Sequence, residues 1–97
     1  MFQTLAAHPN AVIVRDAEID AAIVAAIDAA MLRRRDEYSG QPMAWKMFCE
    51  ASHVATLNDV VRSAFIERVA NERGADIALR LKVKAESIRA EAIARLM

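Results

Sequence analysis

The sequence predicts an all-α protein, a compact bundle of about four helices that ends in a long C-terminal helix. Three observations predict this class. Apolar residues recur at helical spacing in four segments, residues typical of helix caps stand near the segment ends, and the 97 residues include only two glycines and two prolines. A chain of this length forms one modest hydrophobic core. We therefore predict a single helical domain over residues 1–97.

The first segment, residues 1–15, is predicted to be irregular. His8-Pro9-Asn10 is typical of a turn or helix break, because proline lacks a backbone donor. Ala11–Val14 is a β-branched run too short to support a sheet. The first helix is expected over residues 16–35, with Asp16 as its N-cap and three arginines at its C-terminal end, where the helix dipole favours positive charge.

The two sides of this first helix differ in size. Ile19, Ile23 and Ile27 form a bulky stripe, and alanines occupy the opposite side, so the helix is predicted to be central and packed on more than one side. Asp20 falls within the isoleucine arc. If buried it needs a basic partner, for which an arginine of a later helix is available; otherwise it marks the rim of the core or a contact with another chain.

The second and third helices follow a clear break at Gly40 and Pro42. Proline suits the first turn of a helix, and a helix is predicted over residues 43–53. Its predicted inner face consists of Met43, Ala44, Met47, Phe48 and Ala51. Residues 56–59, Thr-Leu-Asn-Asp, form a variant of the capping box with aspartate in place of Glu or Gln. They predict a third helix over residues 57–73, which ends at Gly74.

The last segment, residues 76–97, shows two competing periods. Residues 79–85 alternate strictly between apolar and charged side chains, as in a strand. Six apolar residues nevertheless fall at helical spacing through the whole segment and form its predicted core side: Ile77, Leu81, Ala85, Ile88, Ala92 and Leu96. Its many good helix formers favour a helix, and the strand remains an alternative for residues 79–84. In a helix the alternating residues form a second apolar stripe, about 150° from the first: Leu79, Val83, Ala90, Ile93 and Met97.

Composition argues against several classes of protein. The formal net charge is zero, which lacks the positive charge of a dedicated nucleic-acid binder. A single cysteine cannot form an internal disulfide and is typical of a reducing compartment. The start of the chain has no signal-peptide pattern, and acidic residues interrupt the longest apolar stretch. We expect a soluble cytoplasmic protein with no membrane partner, and the Ala/Arg-rich usage favours a bacterial or phage origin.

Candidate catalytic and metal-binding residues are sparse. Cys49 and His53 share a helix face, so they could act as a thiolate–imidazole pair in nucleophilic chemistry or, with His8, hold a metal ion. Paired-ligand spacing typical of metal sites is missing. Asp20, Asp28 and Glu50 offer carboxylates without a matching constellation for acid–base chemistry. We therefore expect no enzymatic activity, no cofactor and no bound metal.

Surplus apolar surface instead predicts a non-catalytic module that binds or bridges another protein, with self-association expected. Adaptor, inhibitor or immunity-type partner, and assembly subunit are the roles considered. Trp45 leaves the main face of its helix, so it either anchors a partner or packs under the loop over residues 36–42. The predicted contact residues are Trp45, Leu79, Val83, Ile93 and Met97, with Arg80 and Lys84 on the rim.

A DNA-binding regulator is the alternative function. Ala70 and Gly74 have the spacing of small residues found at the turn of helix-turn-helix motifs. Against this, Arg73 and Arg80 fall at positions where that motif buries apolar side chains. The alternative depends mainly on basic side chains of the last helix that could contact phosphates, namely Arg80, Lys82, Lys84 and Arg89.

Overall fold

The computed structural model describes the backbone of residues 2–97 and the side chains of residues 18–97. These residues form four α-helices and no strand, which confirms the predicted all-α bundle. A 3₁₀ turn, Arg35–Tyr38, joins the first two helices. The four helices are α1 (Phe2–Arg34), α2 (Pro42–Thr56), α3 (Asp59–Arg73) and α4 (Ala75–Leu96).

The beginning of α1 corrects the sequence prediction. The helix starts at Phe2, so the irregular segment predicted over residues 1–15 and the N-cap predicted at Asp16 are both wrong. Position 9 lies inside the helix, and a proline in a helix interior lacks a backbone N–H and costs about 3 kcal/mol relative to alanine. Once a helix is nucleated, each further residue adds a hydrogen bond at little cost, so the ladder continues on both sides of Pro9.

The central helix is α4, which contacts α1, α2 and α3, whereas α1 contacts α2 and α4. The predicted central position of the first helix therefore belongs to α4. Residues 79–84 are helical, which decides between the two competing periods. Four of the six predicted core positions of α4 are buried, and Ala78 is buried in place of its neighbour Ile77. The buried residues of α4 are Ala78, Leu81, Ala85, Ile88 and Ala92.

Alanines make up five of the twelve buried apolar residues in the described part of the chain. Ile23 and Ile27 bring α1 into it, and Ile19 of the same predicted stripe is exposed. Phe48, Ala51, Val54 and Ala55 are the buried apolar residues of α2, and Val69 is that of α3. Alanine at helix contacts permits close approach of the helix axes, and it leaves larger neighbouring side chains outside the contact.

The junction of α2 and α3 differs by two residues from its prediction. The N-cap of α3 is Asn58, whose Oδ1 accepts a hydrogen bond from the backbone N–H of Val61 at 2.9 Å. Thr56, the predicted cap, belongs to α2, and its hydroxyl donates to the carbonyl of His53 at 2.6 Å. Asparagine is among the best N-cap residues, so the shorter helix keeps a strong start.

Arg89 of α4 holds this junction from the core side. Its Nη1 donates to the carbonyl of Ala55 at 2.9 Å, and its Nη2 lies 3.5 Å from Oδ1 of Asp20 on α1. Asp20 thus has an arginine of a later helix as its partner and, being 58% exposed, lies at the rim of the core. Arg62 of α3 donates to the neighbouring carbonyl of Leu57 at 2.7 Å. These bonds satisfy C-terminal carbonyls of α2 that have no partner within the helix.

Gly74 connects α3 to α4 as a single residue. Its N–H donates to the carbonyl of Ala70, and its own carbonyl accepts from Ala78 at the start of α4, both at 3.1 Å. Its φ of +101° is a backbone conformation that residues other than glycine rarely adopt. The predicted end of the third helix at Gly74 is therefore found.

Removal of the Arg89 guanidinium is expected to destabilise the fold. Arg89→Met should lower the free energy of unfolding by about 2–3 kcal/mol, because the fully buried Ala55 loses the charged donor to its carbonyl. Arg95→Met on the same helix is the control, since Arg95 forms only an exposed pair with Glu91 worth about 0.5 kcal/mol. Urea unfolding followed by circular dichroism measures both, and equal losses would contradict the assignment.

Ser52 is buried in α2, and its hydroxyl has no hydrogen-bond partner among the described residues. Ser52→Ala removes this unsatisfied group and should raise the free energy of unfolding by about 1 kcal/mol. Ser63→Ala, at an exposed position of α3, controls for helix propensity and should add no more than about 0.5 kcal/mol. Denaturant midpoints compare the two; a Ser52→Ala protein less stable than wild type would show that the hydroxyl is needed.

Candidate protein-binding site

An apolar groove of about 370 Å³ lies between α2 and α4. Its floor consists of Phe48, Ala51 and Leu81, all of which belong to the core. Met47 and Ile77 line its sides and are 65% and 42% exposed. The sequence prediction had placed both on buried helix faces. The groove exists because small side chains at the α2–α4 contact leave these larger neighbours outside it.

Basic residues surround the groove. Arg73, Arg80 and Lys84 line it together with one carboxylate, Glu50. Arg73 donates through Nη1 and Nη2 to the two carboxylate oxygens of Glu50, at 2.8 and 3.0 Å. Arg80 and Lys84 are exposed and form no ion pair with any described residue. The groove therefore carries an excess of positive charge contributed by α4.

The Arg73–Glu50 pair also shifts both protonation equilibria. Hydrogen bonding to Arg73 lowers the pKa of Glu50 from its usual 4.5 and outweighs the opposing effect of burial. The pKa of Arg73 is raised by the same hydrogen bonds. Glu50 is thus ionised at neutral pH and neutralises Arg73, which makes the pair a fixed wall of the groove rather than an available charge.

Trp45 packs behind the groove rather than projecting from it. Its ring centroid lies 5.7 Å from that of Tyr38 and 5.9 Å from that of Phe48, and the side chain is half-buried. Of the two positions predicted for Trp45, the structure places it against the segment that connects α1 to α2. Tyr38 and Phe48 line the groove, so Trp45 contacts its lining without forming part of it.

The outer face of α4 carries the predicted second apolar stripe. Leu79 and Val83 are about 60% exposed, Ile93 is 37% exposed, and Met97 is almost fully exposed. Spacings of four and three residues alternate along residues 79, 83, 86, 90, 93 and 97, which is the heptad pattern of helices that pair. We call this set the outer face; Glu86 and Ala90 complete it, and both are exposed.

Arg80 and Lys84 lie between the outer face and the groove. Both line the groove, and around the helix axis Arg80 lies about 60° and Lys84 about 100° from Val83 of the outer face. They therefore border both surfaces rather than only the one predicted. Lys82 lies about 160° around the helix from Lys84. Arg89 is largely buried and bonded to Ala55 and Asp20. The four basic residues of the predicted phosphate-binding row therefore do not form one surface.

Cys49 and His53 are not brought into a metal or catalytic arrangement within the described side chains. The Cys49 thiol is half-buried, and the exposed His53 ring packs edge-on to Phe65 with centroids 6.1 Å apart. No group of three potential metal ligands occurs among residues 18–97. The side chain of His8, the third ligand considered, lies outside the described residues.

A second, polar cavity lies on the other side of Phe48. Among its lining residues, Arg34 pairs with Glu37 at 3.1 Å, and Arg95 pairs with Glu91 at 3.3 Å. The Arg34 guanidinium also lies 4.9 Å from the ring centroid of Phe48. The arginines at the end of α1 are thus partly offset by carboxylates, in contrast to the excess charge at the groove.

A protein-family model matches the chain. Residues 38–92, more than half of the chain, match the model of a family of unknown function, DUF7696. No curated protein and no solved structure matches the chain. The matched segment contains every residue that lines the groove, whereas Ile93 and Met97 of the outer face lie beyond it. Among the described residues, no helix combines the length and apolarity needed to cross a bilayer.

The Arg73–Glu50 pair predicts a pH-dependent contribution to stability. Because the folded-state pKa of Glu50 lies below 4.5, the pair stabilises the fold above that pH and the contribution is lost as pH falls through the folded pKa. The melting temperature of wild type should exceed that of Glu50→Gln at neutral pH, and the difference should vanish in acid. Glu67→Gln, which changes an exposed residue of α3, is the control. A melting-temperature difference between wild type and Glu50→Gln that stays constant at all pH values would contradict the prediction.

Proposed function

The chain belongs to the family of unknown function DUF7696, and we propose that it is a non-catalytic module that binds or bridges other proteins. The observation that carries this proposal is the outer face of α4. Leu79 and Val83 are exposed although their helix lies at the centre of the bundle and buries its opposite side. Exposed apolar residues aligned along one helix face are typical of interaction surfaces.

The heptad spacing of the outer face supports pairing with another helix. Residues 79–97 cover about 27 Å at 1.5 Å per residue, so the face offers roughly two and a half heptads. A second copy of α4 in antiparallel orientation would place Leu79 near Met97 of the other chain and Val83 near Ile93. Glu86 would then face Ala90 rather than a second glutamate. A formal net charge of zero adds little repulsion between identical chains.

Adaptor, inhibitor and assembly-subunit roles are all compatible with such a module, and a bacterial or phage cytoplasm is the proposed setting. The alternative, DNA binding, has weaker support. A single residue joins α3 to α4, whereas helix-turn-helix motifs use a turn of three or four residues. Arg89 is also bonded within the fold.

Self-association tests the proposal directly. Light scattering after size-exclusion chromatography, over a tenfold concentration range, is expected to give twice the 10.7 kDa mass of one chain. Val83→Asp should restore the single-chain mass, because an aspartate in the seam loses hydration without a partner. Its helical circular dichroism should remain that of wild type, since Val83 is exposed in the single chain.

Val60→Asp provides the matched control. Val60 is 80% exposed near the start of α3, away from the outer face, so the same substitution there should leave the mass unchanged. A single-chain mass for wild type at every concentration would contradict self-association. Unfolding of Val83→Asp would instead show that Val83 supports the core.

A further inference from the structure

We propose that the groove between α2 and α4 binds an acidic amphipathic helix of another protein. This inference rests on the proposed role as a protein-binding module, and it uses a surface distinct from the outer face of α4. It names the chemistry of the partner: apolar anchors on one side of a helix and carboxylates along the flank that meets α4.

The length of the groove fits a helix. Its walls extend over Ala44–Ala51 on α2 and Ile77–Lys84 on α4. Each wall covers seven residue steps, or about 10.5 Å at 1.5 Å per residue. A helix bound in a groove typically inserts anchors at positions i, i+3 or i+4, and i+7, which cover the same distance. The groove therefore has room for three consecutive anchors of one helix.

The lining suits apolar anchors. Phe48, Ala51 and Leu81 provide a buried floor that a ligand can cover without displacing a polar group. Met47 stands at the side with 65% of its surface exposed. Methionine is unbranched and polarisable, and it is frequent on surfaces that adapt to different helices.

Charge selects an acidic partner. Arg80 and Lys84 lie one turn apart on the α4 side, and neither forms an ion pair with a described residue. Arg73 adds no available positive charge at the groove, because it is neutralised by Glu50, to which it donates two hydrogen bonds. Two carboxylates spaced by three or four residues on the flank of a bound helix would match Arg80 and Lys84. A basic helix would meet uncompensated repulsion at the same edge.

Trp45 provides an internal probe for the test. It is the single tryptophan of the chain, and it contacts Tyr38 and Phe48, which line the groove. Two peptides without Trp or Tyr are titrated into the protein. Both carry leucines at positions i, i+4 and i+7 of an alanine-rich helix, and their flanks carry glutamates in one peptide and lysines in the other. The acidic peptide is expected to change Trp45 emission saturably, and the basic peptide is not.

Two lysines of α4 form a matched pair of variants. Lys84→Glu should weaken binding of the acidic peptide about fivefold or more, because an attraction becomes a repulsion. Lys82→Glu makes the same change two residues away on another side of α4, and should alter binding by no more than about twofold. Arg80→Glu combined with Lys84→Glu should reverse the preference between the peptides. All three residues are exposed, and unchanged circular dichroism verifies the fold.

Several results would overturn the inference. They are the absence of acidic-peptide binding, equal binding of both peptides, and equal effects of Lys84→Glu and Lys82→Glu. Displacement of the peptide by a duplex DNA fragment would assign the charged edge to nucleic acid instead. Loss of a dimeric mass in Lys84→Glu, with Val83→Asp still dimeric, would assign the groove to a second copy.

The proposals for the outer face and for the groove can be contradicted independently of each other. Val83→Asp lies on the outer face, so peptide binding should persist in that variant at the wild-type affinity. A monomeric wild type that binds the acidic peptide would contradict self-association through the outer face and support the groove. A dimeric wild type that binds neither peptide would support self-association and contradict the proposed binding at the groove.

Discussion

The guanidinium of Arg89 is the contact on which the arrangement of the helices depends. Through it α4 donates to the carbonyl of Ala55 at the end of α2 and pairs with Asp20 of α1. Arg62 of α3 donates to Leu57 beside it. Helices leave carbonyls unsatisfied at their C-terminal ends, and at the end of α2 those of Ala55 and Leu57 are satisfied from two other helices. The position of α2 along α4, and hence the groove between them, follows from this junction.

The small core has a direct consequence for the surface. The buried alanines, at positions 51, 55, 78, 85 and 92, are side chains that permit helix axes to approach closely and that each contribute little apolar area. Larger side chains then remain beside the contacts rather than in them. Met47 and Ile77 at the groove are examples. The same packing that closes the bundle thus leaves its candidate binding surfaces apolar.

Periodicity predicted α4 well because a long helix buried along one side repeats its pattern many times. Leu81, Ala85, Ile88 and Ala92 were all identified, and helix formers outweighed the local alternation at residues 79–85. The exposure of Met47 and Ile77 was missed, because a helical wheel gives the direction of a face but not the angle at which two helices cross. Pro9 misled for another reason: a proline lowers helix stability locally, and the cooperativity of the flanking residues decides the outcome.

In the proposed function, specificity would follow from the place of Arg80 and Lys84 between the two apolar surfaces of α4. Either surface alone would accept many apolar helices, since burial of apolar area does not discriminate among them. Two cationic side chains beside both surfaces disfavour basic partners at each surface. They favour acidic partners only where a carboxylate of the partner can come within ion-pair distance of them. The outer face already contains Glu86, whereas the carboxylate at the groove, Glu50, is held by Arg73. The unsatisfied attraction is therefore greater at the groove, and we propose the groove as the more selective of the two candidate surfaces.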